Sequence, residues 1–130
     1  MMHYKGWRLT AQAREEILAR CPATREAVRC DHVTLDLCRV EDEAPASANI
    51  RAYGVLDMEG YQILAVTVDR KLLQPREDRL FHVTISHDKG IPSSHAGLLL
   101  REKRRLIRPL QSFMVPAIPF VGTVGPVNKP

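Results

Sequence analysis

From Cys30 to Cys38 the chain alternates, with Val33, Leu35 and Leu37 on one side of a period-two pattern and His32, Thr34 and Asp36 on the other. This predicts a strand with one face in the core and one polar face. Leu80 to Ser86 repeats the arrangement, Phe81, Val83 and Ile85 alternating with His82, Thr84 and Ser86. Between these runs, RAYGVL and YQILAVTVD flank Asp57-Met58-Glu59-Gly60, which predicts a hairpin over Arg51 to Asp69. Thr10 to Cys21 reads as a helix capped by Thr10, with Leu9, Ala13, Ile17 and Leu18 as its apolar stripe and Pro22 just past its end. The acidic EDEAPASAN, the polar run Lys71 to Arg79 and HDKGIPSSHAG read as connections. GLLLREKRRLIRPL has the character of a short helix, and SFMVPAIPFVGTV, broken by Pro116 and Pro119, that of an edge strand or extended cover.

A chain of 130 residues is the size of one domain, taken here as residues 1-130, because it can bury one core but not two comfortable ones. Apolar residues at 45% and charged residues at 26% exclude disordered and fibrous classes. No run approaches the roughly 18 uncharged apolar residues that span a bilayer, and MMHYKGWRLTAQ lacks the apolar centre of a secretion signal. The expectation is a cytoplasmic protein with no membrane partner. Cys21, Cys30 and Cys38 are odd in number and widely spaced, as reduced packing thiols are. The net charge of +4 favours a polyanionic partner. Part of that charge lies in Arg101 to Arg108, REKRRLIR, whose simplest reading is a solvated helix or loop face.

The chemistry lies in the two polar strand faces. Side chains two residues apart on a strand point the same way, roughly 6 to 7 Å apart, so an imidazole and a hydroxyl form one surface that can hold a phosphate oxygen. Two such strands facing one cleft supply two histidines and two hydroxyls around one phosphorus. A neutral histidine can take a proton from water while a protonated one gives a proton to the departing oxygen. His3, His87 and His95 do not share the pattern. The sequence also shows no carboxylate cluster and no close His and Cys set for magnesium or zinc, so neither metal nor cofactor is expected.

At DHVTL and FHVTIS the chain resembles the two-histidine (2H) phosphoesterase superfamily, defined by paired His-x-Ser/Thr motifs on central strands. It looks most similar to the cyclic phosphodiesterase domains of fungal-type tRNA ligases and their small bacterial and phage relatives. The likeness covers most of the chain, and YKGWRLTAQAREEILARCP corresponds to the first helix of that group. It implies an α+β, bilobal fold with a concave antiparallel sheet and few flanking helices. It also implies metal-independent hydrolysis of a 2′,3′-cyclic phosphate at an RNA end or on a nucleotide, within RNA processing or repair. By the same resemblance His32 is the acid, His82 the base, and Thr34 and Thr84 bind the substrate phosphate. Tyr61, near a turn, is the candidate for base stacking; Tyr53, Trp7 and Phe81 read as core. Two alternatives stand beside this: hydrolysis of another nucleotide diester, such as a cyclic oligonucleotide signal, or a non-catalytic RNA or nucleotide binder. The chain departs from its resembled relatives after the second motif, where they carry Gly-x-Lys-Pro and then Ser-Asn. Here the segment is Gly90-Ile91-Pro92-Ser93-Ser94-His95-Ala96, and only 50 residues separate the two histidines.

Overall fold

The computed structural model describes residues 2–39 and 41–124. The chain is α+β, with two antiparallel sheets and two α-helices among the described residues. Strands β1 (Met2–Leu9), β3 (His32–Cys38) and β8 (Ala117–Val124) form a three-stranded sheet in the order β3-β1-β8. Strands β2 (Ala27–Val28), β4 (Ile50–Met58), β5 (Tyr61–Val68), β6 (His82–His87) and β7 (Arg108–Met114) form a five-stranded sheet in the order β2-β6-β5-β4-β7. No helix is long and apolar enough to cross a membrane among the described residues.

Helix α1 (Ala11–Arg20) starts where Thr10 Oγ1 accepts the Ala13 N–H at 3.1 Å, satisfying a donor that has no partner inside the first turn. The preceding segment is the principal surprise. MHYKGWRL is not a lead-in to the helix but the central strand of the smaller sheet, paired on both sides. Its register shifts at Lys5/Gly6, where a β-carbon on Gly6 would fall 2.1 Å from the Val33 carbonyl oxygen. Only glycine admits so close a backbone. The same irregularity moves Leu37, expected in the core, to a 39% exposed position; a strand that gains one residue exchanges its faces beyond that point.

The predicted hairpin forms with Glu59-Gly60 as its two-residue turn, both at positive φ (52° and 86°), the twist that two-residue hairpins favour. β5 is buried on both faces, which explains its nearly continuous apolar run. Leu64, Val66 and Val68 enter the main core, shared with α1 and the smaller sheet, whereas Tyr61, Ile63 and Ala65 enter a second cluster under Leu100 of α2 (Ala96–Glu102). The basic run Arg101 to Arg108 spans the end of α2, a 3₁₀ turn at Arg104–Leu106 and the first residue of β7, and its arginines are exposed. The proline-broken tail supplies an edge strand to each sheet, β7 and β8.

Four connections pass from one sheet to the other, and the one from β2 to β3 builds the site. After β2 pairs with β6, the chain continues alongside it, Arg29 N–H donating to the Ile85 carbonyl and Cys30 N–H to the Thr84 carbonyl, both at 2.8 Å. Cys30 then adopts φ 49°, the Asp31 carbonyl accepts the Leu9 N–H at 2.9 Å, and His32 opens β3. The connection from β7 to β8, Val115-Pro116, is held by Val115 N–H to Ile50 and by Thr10 N–H to Pro116.

Candidate active site

Each His-Val-Thr motif is oriented by its middle residue. Val33 and Val83 are fully buried in the same core cluster. A strand sends neighbouring side chains to opposite faces, so His32, Thr34, His82 and Thr84 all turn away from that core. They line one cleft of about 450 Å³. The hydrogen bond from Cys30 to Thr84 holds the motifs at this approach, because it lies two residues before His32 on one strand and two after His82 on the other.

The two imidazoles have different partners. His32 Nδ1 lies 3.0 Å from Asp31 Oδ2, and the ring packs against Tyr4 and Phe120 with centroids 4.8 and 5.8 Å away. The His32 hydrogen bond holds the Asp31 carboxyl below its usual range, so Asp31 is an anion at neutral pH and a carboxylate acceptor for the His32 Nδ1–H. His82 Nδ1 donates to the Leu80 carbonyl at 2.9 Å, which leaves Nε2 as the ring's acceptor. Burial drives its pKa down to about 4, with a smaller push from the His32 and Arg79 charges and an opposing effect of the Leu80 hydrogen bond. His82 is therefore neutral at pH 7. Gly97 of α2 presses on this ring: a β-carbon there would lie 2.9 Å from His82 Cε1.

Three arginines also line the cleft. Arg76 Nε is 3.5 Å from Asp36, and Arg79 Nη1 is 2.9 Å from both Asp78 carboxylate oxygens. Arg29 instead donates from Nε to His87 Nε2 at 3.1 Å. Ser93 and Ser94, in the segment that departs from the resembled family, supply two more hydroxyls. Tyr4 was missed because β1 was missed, although Tyr4, Gly6 and Arg8 alternate with Lys5, Trp7 and Leu9 around it. Asp31 stood next to His32 in plain view. Arg29, Arg76 and Arg79 are brought in by connections whose course no periodicity reveals.

The base-stacking expectation for Tyr61 is corrected. Tyr61 is buried in the second core cluster, its hydroxyl donates to the Pro92 carbonyl, and it is not among the residues lining the cleft. Because β5 is covered on both faces, closeness to a turn did not make this ring accessible. Ser86 also leaves the polar face, since a register shift at Gln62/Ile63 turns it inward to donate to Gln62 Oε1 at 2.6 Å. Trp7 and Phe81 are core, as expected. Cys21 and Cys30 are buried free thiols, and burial raises Cys30 to about 11, which removes it from consideration as a nucleophile. Among the described residues no group of three or more His, Cys, Asp or Glu side chains is arranged to hold a metal ion.

The arrangement can therefore grip a tetrahedral anion with hydroxyls and offer it a neutral imidazole acceptor and a carboxylate-backed imidazole donor. In comparisons with known proteins, no family model, no curated protein and no solved structure matches the chain.

Proposed function

We propose that the chain is a two-histidine phosphoesterase that hydrolyses a 2′,3′-cyclic phosphate at an RNA end or on a nucleotide without a metal. The observation that carries this reading is the shared cleft, in which two imidazoles with unlike partners accompany two threonine hydroxyls. Thr34 and Thr84 donate to the non-bridging phosphate oxygens. His82 Nε2 takes a proton as water attacks phosphorus, and His32 gives its proton to the ribose oxygen as the phosphorus–oxygen bond breaks. One water is consumed, and the two rings exchange protons with solvent to begin again. The bound anion raises the basicity of His82 at the moment it is needed, by offsetting the cost of charging a buried ring.

The test is turnover of a nucleoside 2′,3′-cyclic phosphate in excess chelator. Hydrolysis should persist in chelator and collapse in His32→Ala and in His82→Ala, each shown to be folded at the assay temperature. A dependence on added divalent metal would remove the metal-free mechanism. Undiminished rates in both folded variants would remove the histidine roles. Binding without turnover would move the chain to the non-catalytic alternative.

A further inference from the structure

Among the described residues, one arginine of the cleft has no carboxylate partner. His32 faces Asp31, Arg76 faces Asp36 and Arg79 faces Asp78. Arg29 lines the same cleft, and among the described residues no carboxylate oxygen comes within 4 Å of its nitrogens. Its guanidinium is steered by an imidazole. His87, fully buried, donates from Nδ1 to the Asp88 carbonyl at 2.7 Å, which fixes the tautomer and leaves Nε2 to accept from Arg29 Nε at 3.1 Å. Arg29 is thus anchored by one N–H and keeps four donors on its outer nitrogens, the fork suited to phosphate.

The position matters as much as the charge. On β6 the order is His82, Thr84, then His87, so the Arg29–His87 pair lies past Thr84 on the side away from His82. At about 3.3 Å per residue this is roughly 10 Å of strand beyond the Thr84 hydroxyl, a distance the arginine side chain partly spans on its return to the cleft. A single cyclic phosphate, held by both threonines and both histidines, carries one negative charge and leaves Arg29 uncompensated.

Building on the phosphodiesterase reading, we propose that the substrate carries a second phosphate, bound by Arg29, with His87 as the positioning residue that aims it. That phosphate is either the 5′-phosphate of the same nucleotide or the internucleotide phosphate of an RNA end. The preferred substrate is then larger than a nucleoside cyclic phosphate.

Three substrates decide this: a nucleoside 2′,3′-cyclic phosphate with a free 5′-hydroxyl, the same nucleotide with a 5′-phosphate, and a dinucleotide ending in a 2′,3′-cyclic phosphate. At low salt, kcat/KM should favour at least one two-phosphate substrate by about tenfold or more, the factor one charge-assisted hydrogen bond supplies. Which one is favoured identifies the source of the phosphate. In Arg29→Met the preference should fall towards unity, chiefly through KM. His87→Leu should lose the preference in the same way, and His87→Gln, which can still accept from Arg29 and donate to Asp88, should recover most of it. A general folding defect would instead lower all three substrates together. Should His87→Leu not fold, Arg29→Met and His87→Gln decide the matter alone. Equal kcat/KM for all three substrates in the unmodified protein overturns the second-phosphate site and leaves the phosphodiesterase reading standing. Absence of turnover on any of them overturns both.

Discussion

His82 gives the most quantitative prediction. Its ring is held neutral by burial, with a pKa near 4 against 6.5 for an ordinary histidine. At about 1.4 kcal/mol per tenfold in proton affinity this difference corresponds to roughly 3 kcal/mol, and solvent at the ring's cleft-facing edge reduces it to about 2 to 3 kcal/mol. The folded value lies below the unfolded one, so the unfolded chain takes up the proton first as the solution is acidified. The stabilising contribution is complete above about pH 6.5 and is lost as pH falls from there towards 4. His82→Gln has nothing to titrate at this position. The unfolding free energy of the unmodified protein, from denaturant titration at pH 7 and pH 4.5, should therefore drop by about 2 kcal/mol more than that of His82→Gln, after shared losses cancel. Proton NMR of the imidazole should show no titration of His82 near pH 6.5. A His82 midpoint close to 6.5, or identical acid sensitivity in the two proteins, would refute both the burial argument and the assignment of this ring as a base that is already neutral at pH 7.

Further predictions follow from contacts around the cleft and in the scaffold that supports it. Gly97→Ala places a β-carbon 2.9 Å from His82 Cε1; it should cost kcat about tenfold or more by shifting the ring, while the melting temperature stays within a few degrees because alanine favours the helix. Asp31→Asn removes the carboxylate at His32 Nδ1 and should lower kcat by about ten- to a hundredfold with little change in KM, measured by steady-state kinetics on a cyclic nucleotide. Gly6→Ala drives a methyl into the Val33 carbonyl and should cost more than about 3 kcal/mol of stability or abolish soluble expression, whereas Thr10→Ala, which removes only a helix cap, should cost about 1 kcal/mol by denaturant titration.

The two motifs were legible because they obey the simplest rule of strand geometry without interruption. Valine between histidine and threonine turns inward wherever the strand lies on a core, so His32 and Thr34, like His82 and Thr84, had to share a face. The hairpin was equally legible, since its two-residue turn ends in the glycine that such turns prefer. Errors began where a strand gains a residue. Leu37 and Ser86 each lie past a register shift, and each faces the side opposite to the one that strict alternation assigns. β1 escaped notice because its apolar positions are few and it runs straight into a well-capped helix. Tyr61 illustrates a different limit: a strand buried on both sides has no exposed face to offer, and that depends on where α2 packs, information no local pattern contains.

The crossing at Cys30 carries one more consequence. This link between the two sheets is tied into β6 by main-chain bonds from Arg29 and Cys30 to the carbonyls of Ile85 and Thr84. Pulling the sheets apart would first unzip this seam, so admission of a ligand is left to the remaining walls, among them the Ser93 and Ser94 segment and the connection bearing Arg76. A crosslink joining those two segments should slow entry and exit of nucleotides, while one tethering the sheets at their far edges should leave traffic untouched.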